Sequence, residues 1–271
     1  MSNLYPLNPR FQRLALLVGL ESLDALTHTQ VIVFGLGGVG SWCAEALARS
    51  GIAKLTIVDS DTVCVTNINR QTQATNATTG RFKADALKTR LLEINPACTL
   101  TVHNTVFCKE SARTFGIENA DYVIDAIDSL TNKLDLIEYT VQAGVPLFSS
   151  MGMAQKLDPT QLKTADIWDT QVCPLARLVR AGLRQRGFTS RFTTVYSEER
   201  LPRHEEVAVA CGTGLCLCSK QGTEWCSSKK VINGSAVTVT AAAGMILASL
   251  VVQAVYARYP HPKARNSQTL P

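Results

Sequence analysis

No basic start followed by an apolar run opens this chain, no internal repeat or low-complexity tract interrupts it, and none of its nine cysteines forms a C-x-x-C pair. The first absence argues against export and predicts a cytoplasmic protein. In that reducing compartment an odd number of cysteines points to free thiols or a metal site, not to a disulfide framework. Charged residues are few, at 18% of 271, while hydrophobic residues reach 46%, which excludes disorder and allows a core of one large or two modest domains. The four histidines, His28, His103, His204 and His261, are scattered without a partner motif and receive no role. A net charge of +5 is mild, but its cations concentrate in the second half, the pattern expected for a polyanionic partner.

Short β-branched runs alternate with helical patterns through the first half. This predicts an α/β fold, Rossmann-like, with a mostly parallel twisted sheet and flanking helices, extended by a less regular C-terminal part. Strands are expected at 31–34, 55–58, 99–102, 122–124 and 147–149, and helices at 41–50, 81–94 and 131–143, the second stopped by Pro96. Before the sheet, Phe11, Leu14, Leu17 and Val18 form one apolar helical face, which leaves Arg10 and Arg13 pointing elsewhere on an N-terminal arm. From 174 to 185 a helical pattern sets Arg177, Arg180 and Arg184 on one face, and 187–230 is expected to hold loops and short strands. The uncharged stretch 235–255 is long enough to span a bilayer, but its Ser, Thr and Ala content fits a buried last strand and helix better.

The strongest local motif is Gly35-Leu36-Gly37-Gly38-Val39-Gly40, which leaves a predicted strand and opens a predicted helix. Glycines let the backbone turn sharply and approach a ligand, and the helix start attracts phosphate. Nineteen residues beyond Gly40, Asp59 ends the next strand, where a carboxylate can accept hydrogen bonds from ribose hydroxyls. Up to this point an NAD-dependent dehydrogenase fits equally well. The following residues separate the two: Asp61, then Asn67-Ile68-Asn69-Arg70-Gln71, then Lys83, then Asp125-Ala126-Ile127-Asp128-Ser129. A nucleotide attacked by another anion needs several cations around its phosphates, and Arg70, Lys83 and the arm residue Arg13 can supply them.

Taken in order, these motifs resemble the ubiquitin-activating-enzyme-like adenylyltransferases over residues 10–152. The resemblance implies that Gly35, Gly37, Gly38, Gly40 and Asp59 hold ATP, with Asp61, Asn67 and Asn69 beside it. It implies further that Arg70 and Lys83 bind the phosphates, that Asp128 binds Mg2+, and that Arg13 reaches into the site of a second copy in a homodimer. The stretches V-D-S-D-T-V-C-V-T-N-I-N-R-Q, V-I-D-A-I-D-S and D-P-T-Q-L are most similar to the tRNA threonylcarbamoyladenosine dehydratases within that superfamily. This resemblance implies ATP-dependent adenylation and cyclisation of the modified adenosine, with tRNA as partner and a cysteine-desulfurase-linked sulfur-acceptor protein as a further candidate. The alternative within the superfamily is activation of the C-terminal carboxylate of a ubiquitin-like sulfur carrier. The division that follows is a nucleotide-binding part with the arm at 1–152, and a substrate, tRNA-binding and dimerisation part at 153–271.

For tRNA the candidate footprint is Arg177, Arg180, Arg184, Arg186 and Arg191, continued by Arg200, Arg203, Lys229, Lys230, Arg258, Lys263 and Arg265; a solvated helix face is the alternative reading. Cys211, Cys216, Cys218 and Cys226 supply enough thiols for a tetrahedral Zn2+ site, though in no standard spacing, and free thiols remain the other reading. Cys173, before Pro174, lies where some relatives carry a catalytic cysteine, but a buried structural residue is the commoner outcome there, and Cys43, Cys64 and Cys98 are likewise read as packing. Asp125 either assists Asp128 or caps its strand.

Overall fold

The computed structural model describes residues 8–200 and 233–259. Seven strands form one sheet: β1 (Gln30–Phe34), β2 (Lys54–Val58), β3 (Thr99–His103), β4 (Tyr122–Asp125), β5 (Leu147–Ser150), β6 (Leu162–Asp166) and β7 (Thr193–Ser197). Their spatial order is β3-β2-β1-β4-β5-β7-β6, all parallel except the edge strand β6, which runs antiparallel to β7. The chain moves outward from β1 through β2 to β3 and then returns to place β4 on the other side of β1. The crevice at the carboxyl ends of β1 and β4 is therefore the topological switch point, where open α/β sheets bind ligands. The sheet also crosses the 152/153 boundary, since β7 pairs with β5.

Burial on both faces explains the continuous apolar strands. Val31, Val33, Leu55, Ile57 and Ile124 face one core, together with α3 (Gly40–Arg49), α4 (Lys83–Ile94) and the C-terminal helix α7 (Val237–Arg258). The alternate residues Ile32, Phe34 and Val123 face a second core with α5 (Leu130–Gln142) and α6 (Pro174–Gln185). In this second core Phe34 packs edge-on against Phe107 and Phe115, each ring 5.3 Å away.

Two expectations need correction. The arm is two helices, α1 (Gln12–Val18) and α2 (Leu20–His28), broken at Gly19 with φ +85°. Its inward residues are Phe11, Ala15 and Val18, whereas Leu17 is 76% exposed beside Leu16 at 83%. Positions 11, 15 and 18 keep the spacing of one helical face, whereas Leu17 is turned about 100° away from Val18 and so points outward. The expected last strand is absent as well: residues 235–236 lead directly into α7. Among the described helices α7 alone is long and apolar enough to cross a membrane by length and composition. One stripe of it (Val239, Ala243, Leu247, Val251 and Val255) lies in the first core.

Helix α7 approaches α3 closely because Gly244 has no side chain. A Cβ there would stand 2.5 Å from Val39 O and 2.9 Å from Cys43 N. On the opposite flank of α3, Glu45 is buried and accepts from Arg49 Nε at 2.9 Å, Arg90 Nε at 2.5 Å and Thr72 Oγ1 at 2.7 Å. Burial opposes its ionised form, but these donors outweigh burial and hold the Glu45 carboxyl below the usual glutamate range.

Gly244→Val forces backbone apart at the start of α3, so it is expected to cost about 3 kcal/mol, or ~8 °C in Tm, by calorimetry. A depressed folded-state pKa stabilises above the ordinary glutamate value and loses that contribution as pH falls through the folded value. Glu45→Gln should therefore lower Tm by ~5 °C at pH 7, and the difference from the native chain should shrink as pH falls below the ordinary glutamate value and through the lowered folded one.

Candidate nucleotide-binding site

The glycine turn occupies the switch point. Gly35 has φ +83°, and a Cβ on it would lie 2.6 Å from Ala126 O; one on Gly40 would lie 1.8 Å from Gly35 O. These two positions demand glycine for the turn to close. Beside Gly37 there is open space within 4 Å, where a ligand can approach backbone, while Gly38 is backed by Thr240 of α7 and the Arg70 side chain. Helix α3 begins at Gly40, so its free amide end faces the turn.

Asp59 follows β2 and shapes this turn: its Oδ2 accepts from Leu36 N at 2.6 Å and its Oδ1 from Asp61 N at 2.9 Å. Lys83, buried at the start of α4, places Nζ 2.7 Å from Asp61 Oδ2 and 3.7 Å from Asp59 Oδ1. Burial raises the Asp59 pKa above the usual aspartate range against the pull of Lys83. For Lys83 burial works downward, but Asp59 and Asp61 outweigh it and hold the ammonium above the ordinary lysine value. Lys83 is thus charged at neutral pH and turned toward the nucleotide loop.

The N-x-N-R-Q segment crosses in front. Asn67 Oδ1 accepts from Cys64 N at 3.1 Å and caps its own short 3-10 helix. Asn69 Nδ2 donates to Ser235 O at 2.9 Å, which ties this loop to the residues entering α7. Arg70 Nη1 donates to Thr66 O and Asn69 Oδ1, both at 2.9 Å, and Trp42 Nε1 donates to Arg70 O at 2.9 Å. Burial lowers the Arg70 pKa, opposed by Cys64 and Asp128. Asp128, exposed on the β4–α5 loop, acts electrostatically on both Arg70 and Lys83. A hard carboxylate oxygen beside a phosphate site is the donor that Mg2+ uses together with the phosphates themselves.

Other predicted residues lie elsewhere. Phe11 packs near Gly51, at the far end of α3, so the arm carrying Arg13 sits about 15 Å along that helix from the glycine turn of the same chain. On α6 Arg180 Nη1 donates to Thr170 O at 2.9 Å, Arg184 lies over the Trp168 ring at 5.3 Å, and Arg177 is exposed. Beyond it, Arg186 pairs with Asp135 at 2.6 Å and Glu138 at 2.8 Å, and Arg191 with Asp169 at 3.3 Å. Arg258 lies over the Tyr122 ring at 5.6 Å. Cys43, Cys64, Cys98 and Cys173 are buried, and burial raises the Cys98 thiol to about 11. Cys211, Cys216, Cys218 and Cys226, with Arg203, Lys229, Lys230, Lys263, Arg265, His204 and His261, lie outside the described residues.

Residues 11–270 match the ThiF family model. The chain belongs to the ThiF family. It is 41% identical over 190 residues to the tRNA threonylcarbamoyladenosine dehydratase of Bacillus subtilis, covering 70% of this chain and 75% of the relative. It is 36% identical over 248 residues to the enzyme of that name in Haemophilus influenzae, covering 90% and 92%. A crystal structure of E. coli tRNA N6-threonylcarbamoyladenosine dehydratase in complex with ATP superposes with a TM-score of 0.77 at 32% identity, covering 95% of this chain and 96% of that one.

Sequence reasoning missed Glu45 and Thr72, which brace the Arg70 loop, Thr240 behind Gly38, and Lys133, which is described below. Only spacing to the glycine motif points to any of them, and spacing does not show which side chains meet.

Arg70→Ala and Asp128→Ala are each expected to reduce ATP-dependent AMP formation at least ~100-fold, since each removes one of the charged groups set around the glycine turn. Circular dichroism should show an unchanged fold in both; near-native turnover in either would remove that residue from the site.

Proposed function

We propose that this ThiF-family protein is an ATP-dependent tRNA threonylcarbamoyladenosine dehydratase, and that Arg70, Lys83 and Asp128 around the glycine turn carry its chemistry. The observation behind this reading is the glycine turn at the sheet's switch point, open at Gly37, with the Arg70 side chain behind Gly38 and Lys83 Nζ 2.7 Å from Asp61 and 3.7 Å from Asp59 beside it. Two anions, the threonyl carboxylate and the α-phosphate of ATP, must meet there. The carboxylate is ionised at neutral pH, so no general base is needed. Its oxygen attacks the α-phosphorus and pyrophosphate leaves. A nucleophile of the same side chain then attacks the activated carbonyl, the ring closes and AMP departs, a step favoured by high effective concentration. In the balance one water is lost from the nucleoside.

The glycine turn and Asp59 hold the nucleotide, with Asp61, Asn67 and Asn69 shaping the loops around it. Lys83 and Arg70 neutralise the phosphates. Asp128 would hold Mg2+, which supplies further charge neutralisation when bound. The reaction needs no thiol, so Cys173 and the four-cysteine set have no part in it.

The working unit in this proposal is a homodimer. The exposed Leu16, Leu17 and Leu20 around Arg13 form an apolar patch that a second copy can cover, and the distance of the arm from its own glycine turn suits delivery of Arg13 in trans. Residues 153–271 contribute acceptor and tRNA contacts. The exposed Arg177 and the partly screened Arg184, Arg186, Arg191 and Arg180 bind phosphate in this scheme by exchanging their intramolecular partners.

The decisive measurement is mass spectrometry of nucleosides from tRNA bearing threonylcarbamoyladenosine, incubated with the protein, ATP and Mg2+. Loss of one water from that nucleoside with one AMP released per event is expected. An unchanged nucleoside, with AMP formed instead on a ubiquitin-like carrier, would overturn the acceptor.

A further inference from the structure

A fully buried charge network lies directly beneath the loop that carries Asp128. Lys133 Nζ, on the first turn of α5, is 2.6 Å from Asp125 Oδ2, 3.0 Å from Ser150 O and 3.4 Å from Ser149 Oγ. Ser149 Oγ donates to the same Asp125 Oδ2 at 2.6 Å. Asp125 Oδ1 faces the other way and accepts from Ile127 N at 3.1 Å. Side chains of Lys133 and Asp125 are both 0% exposed.

Such a pair is a poor stability device. Taking two charges out of water costs about as much as their attraction returns, and well-packed apolar residues of the same volume usually do as well. The geometry explains its presence differently. Residue 126 is held from below by backbone, since Ala126 N donates to Phe34 O at 2.8 Å and Ala126 O touches Gly35. The next amide, that of Ile127, is held by the Asp125 carboxylate. That carboxylate is oriented by Lys133 and Ser149, and Lys133 is oriented in turn by α5, where its own N–H bonds Ser129 O at 2.9 Å. The loop from β4 to α5 is thus closed by side chains from both of its ends and from β5.

We propose that Lys133 and Ser149 are positioning residues: through Asp125 they fix the turn at residues 127–129 and hold Asp128 within electrostatic reach of Arg70 and Lys83. The inference rests on the adenylation reading for its kinetic consequence, but its structural consequence does not depend on that reading. Adenosine recognition through Asp59 lies just past β2, away from this network. Slackening the loop therefore lowers kcat and leaves the KM for ATP nearly unchanged.

The test compares Lys133→Met, the double variant Asp125→Asn with Lys133→Met, and Ser149→Ala, each as the full chain. The single lysine substitution strands a buried carboxylate and should lower Tm by ~10 °C. The double variant is neutral, keeps an acceptor for Ile127 N, and should return Tm to within ~3 °C of the native protein. Its kcat for AMP formation on acceptor tRNA should nevertheless stay about tenfold low, with the KM for ATP within about threefold. Hydrogen exchange of the amides at 127–129 should quicken at least ~10-fold while the strands keep their protection. Ser149→Ala preserves the ion pair and decides the matter should the double variant not fold; about threefold loss of kcat with Tm within ~3 °C is expected. Native kcat together with native exchange at 127–129, in the double variant or in Ser149→Ala, would overturn the proposal. A native protein that makes no AMP would instead remove the adenylation reading and leave the exchange result to decide this one.

Discussion

Contact between backbones that carry no side chain governs this structure. Gly35 lies against Ala126, Gly40 against Gly35, and Gly244 against Val39 and Cys43. At each place a single carbon atom would stand inside van der Waals distance, and at Gly35 and Gly40 it would meet backbone that strands β1 and β4 hold in register. The nucleotide crevice exists because two parallel strands and a helix start converge there more tightly than side chains permit. Its charges follow from that convergence. Once the strand ends are this close, Asp59 and Lys83 lie almost buried beside each other at the turn, and the half-buried Arg70 and exposed Asp128 stand at its rim within electrostatic reach.

That same burial sets the electrostatic character of the site. Burial pushes the Asp59 pKa upward, while Asp59 and Asp61 together hold Lys83 charged, so a buried cation stands beside the glycine turn. Positive charge beside open backbone at Gly37 is what a polyphosphate requires, and it is poorly matched to a site that passes a hydride. The ThiF-family membership and the fold likeness to an ATP-bound dehydratase agree with this physical reading.

Much of this was legible beforehand, and the reasons are local. Strands such as Val31-Ile32-Val33-Phe34 are apolar without alternation because both faces of a parallel sheet are covered, and the glycine turn sits where only glycine fits. Order along the chain then placed Asp59, Lys83 and Asp128 at strand or helix ends on one edge. What escaped were relations between elements distant in sequence. Nothing in the spelling of α5 shows that Lys133 turns inward to Asp125, since a lysine on a helix is ordinarily solvated. The arginines of α6 share a helical face as the spacing implies, yet Arg180 and Arg184 are engaged by Thr170 and Trp168 of the preceding segment, which periodicity does not reveal. Leu17 is read into a helical stripe from the sequence but faces solvent, because the buried face runs through Phe11, Ala15 and Val18 and Leu17 lies about 100° round the helix from Val18.

Helix α7 follows every strand of the sheet in the chain, yet its Gly244 and Thr240 press against the very first strand-to-helix turn. During synthesis the sheet can form from β1 to β7 while the flank of α3 that α7 covers stays bare. A nascent chain at that stage presents an apolar groove of α3 and an unsupported glycine turn, a surface on which chaperones act. The crevice at the switch point is therefore completed late, by the last of the described helices, and translation products truncated before it would lack the support that Gly244 and Thr240 give the glycine turn.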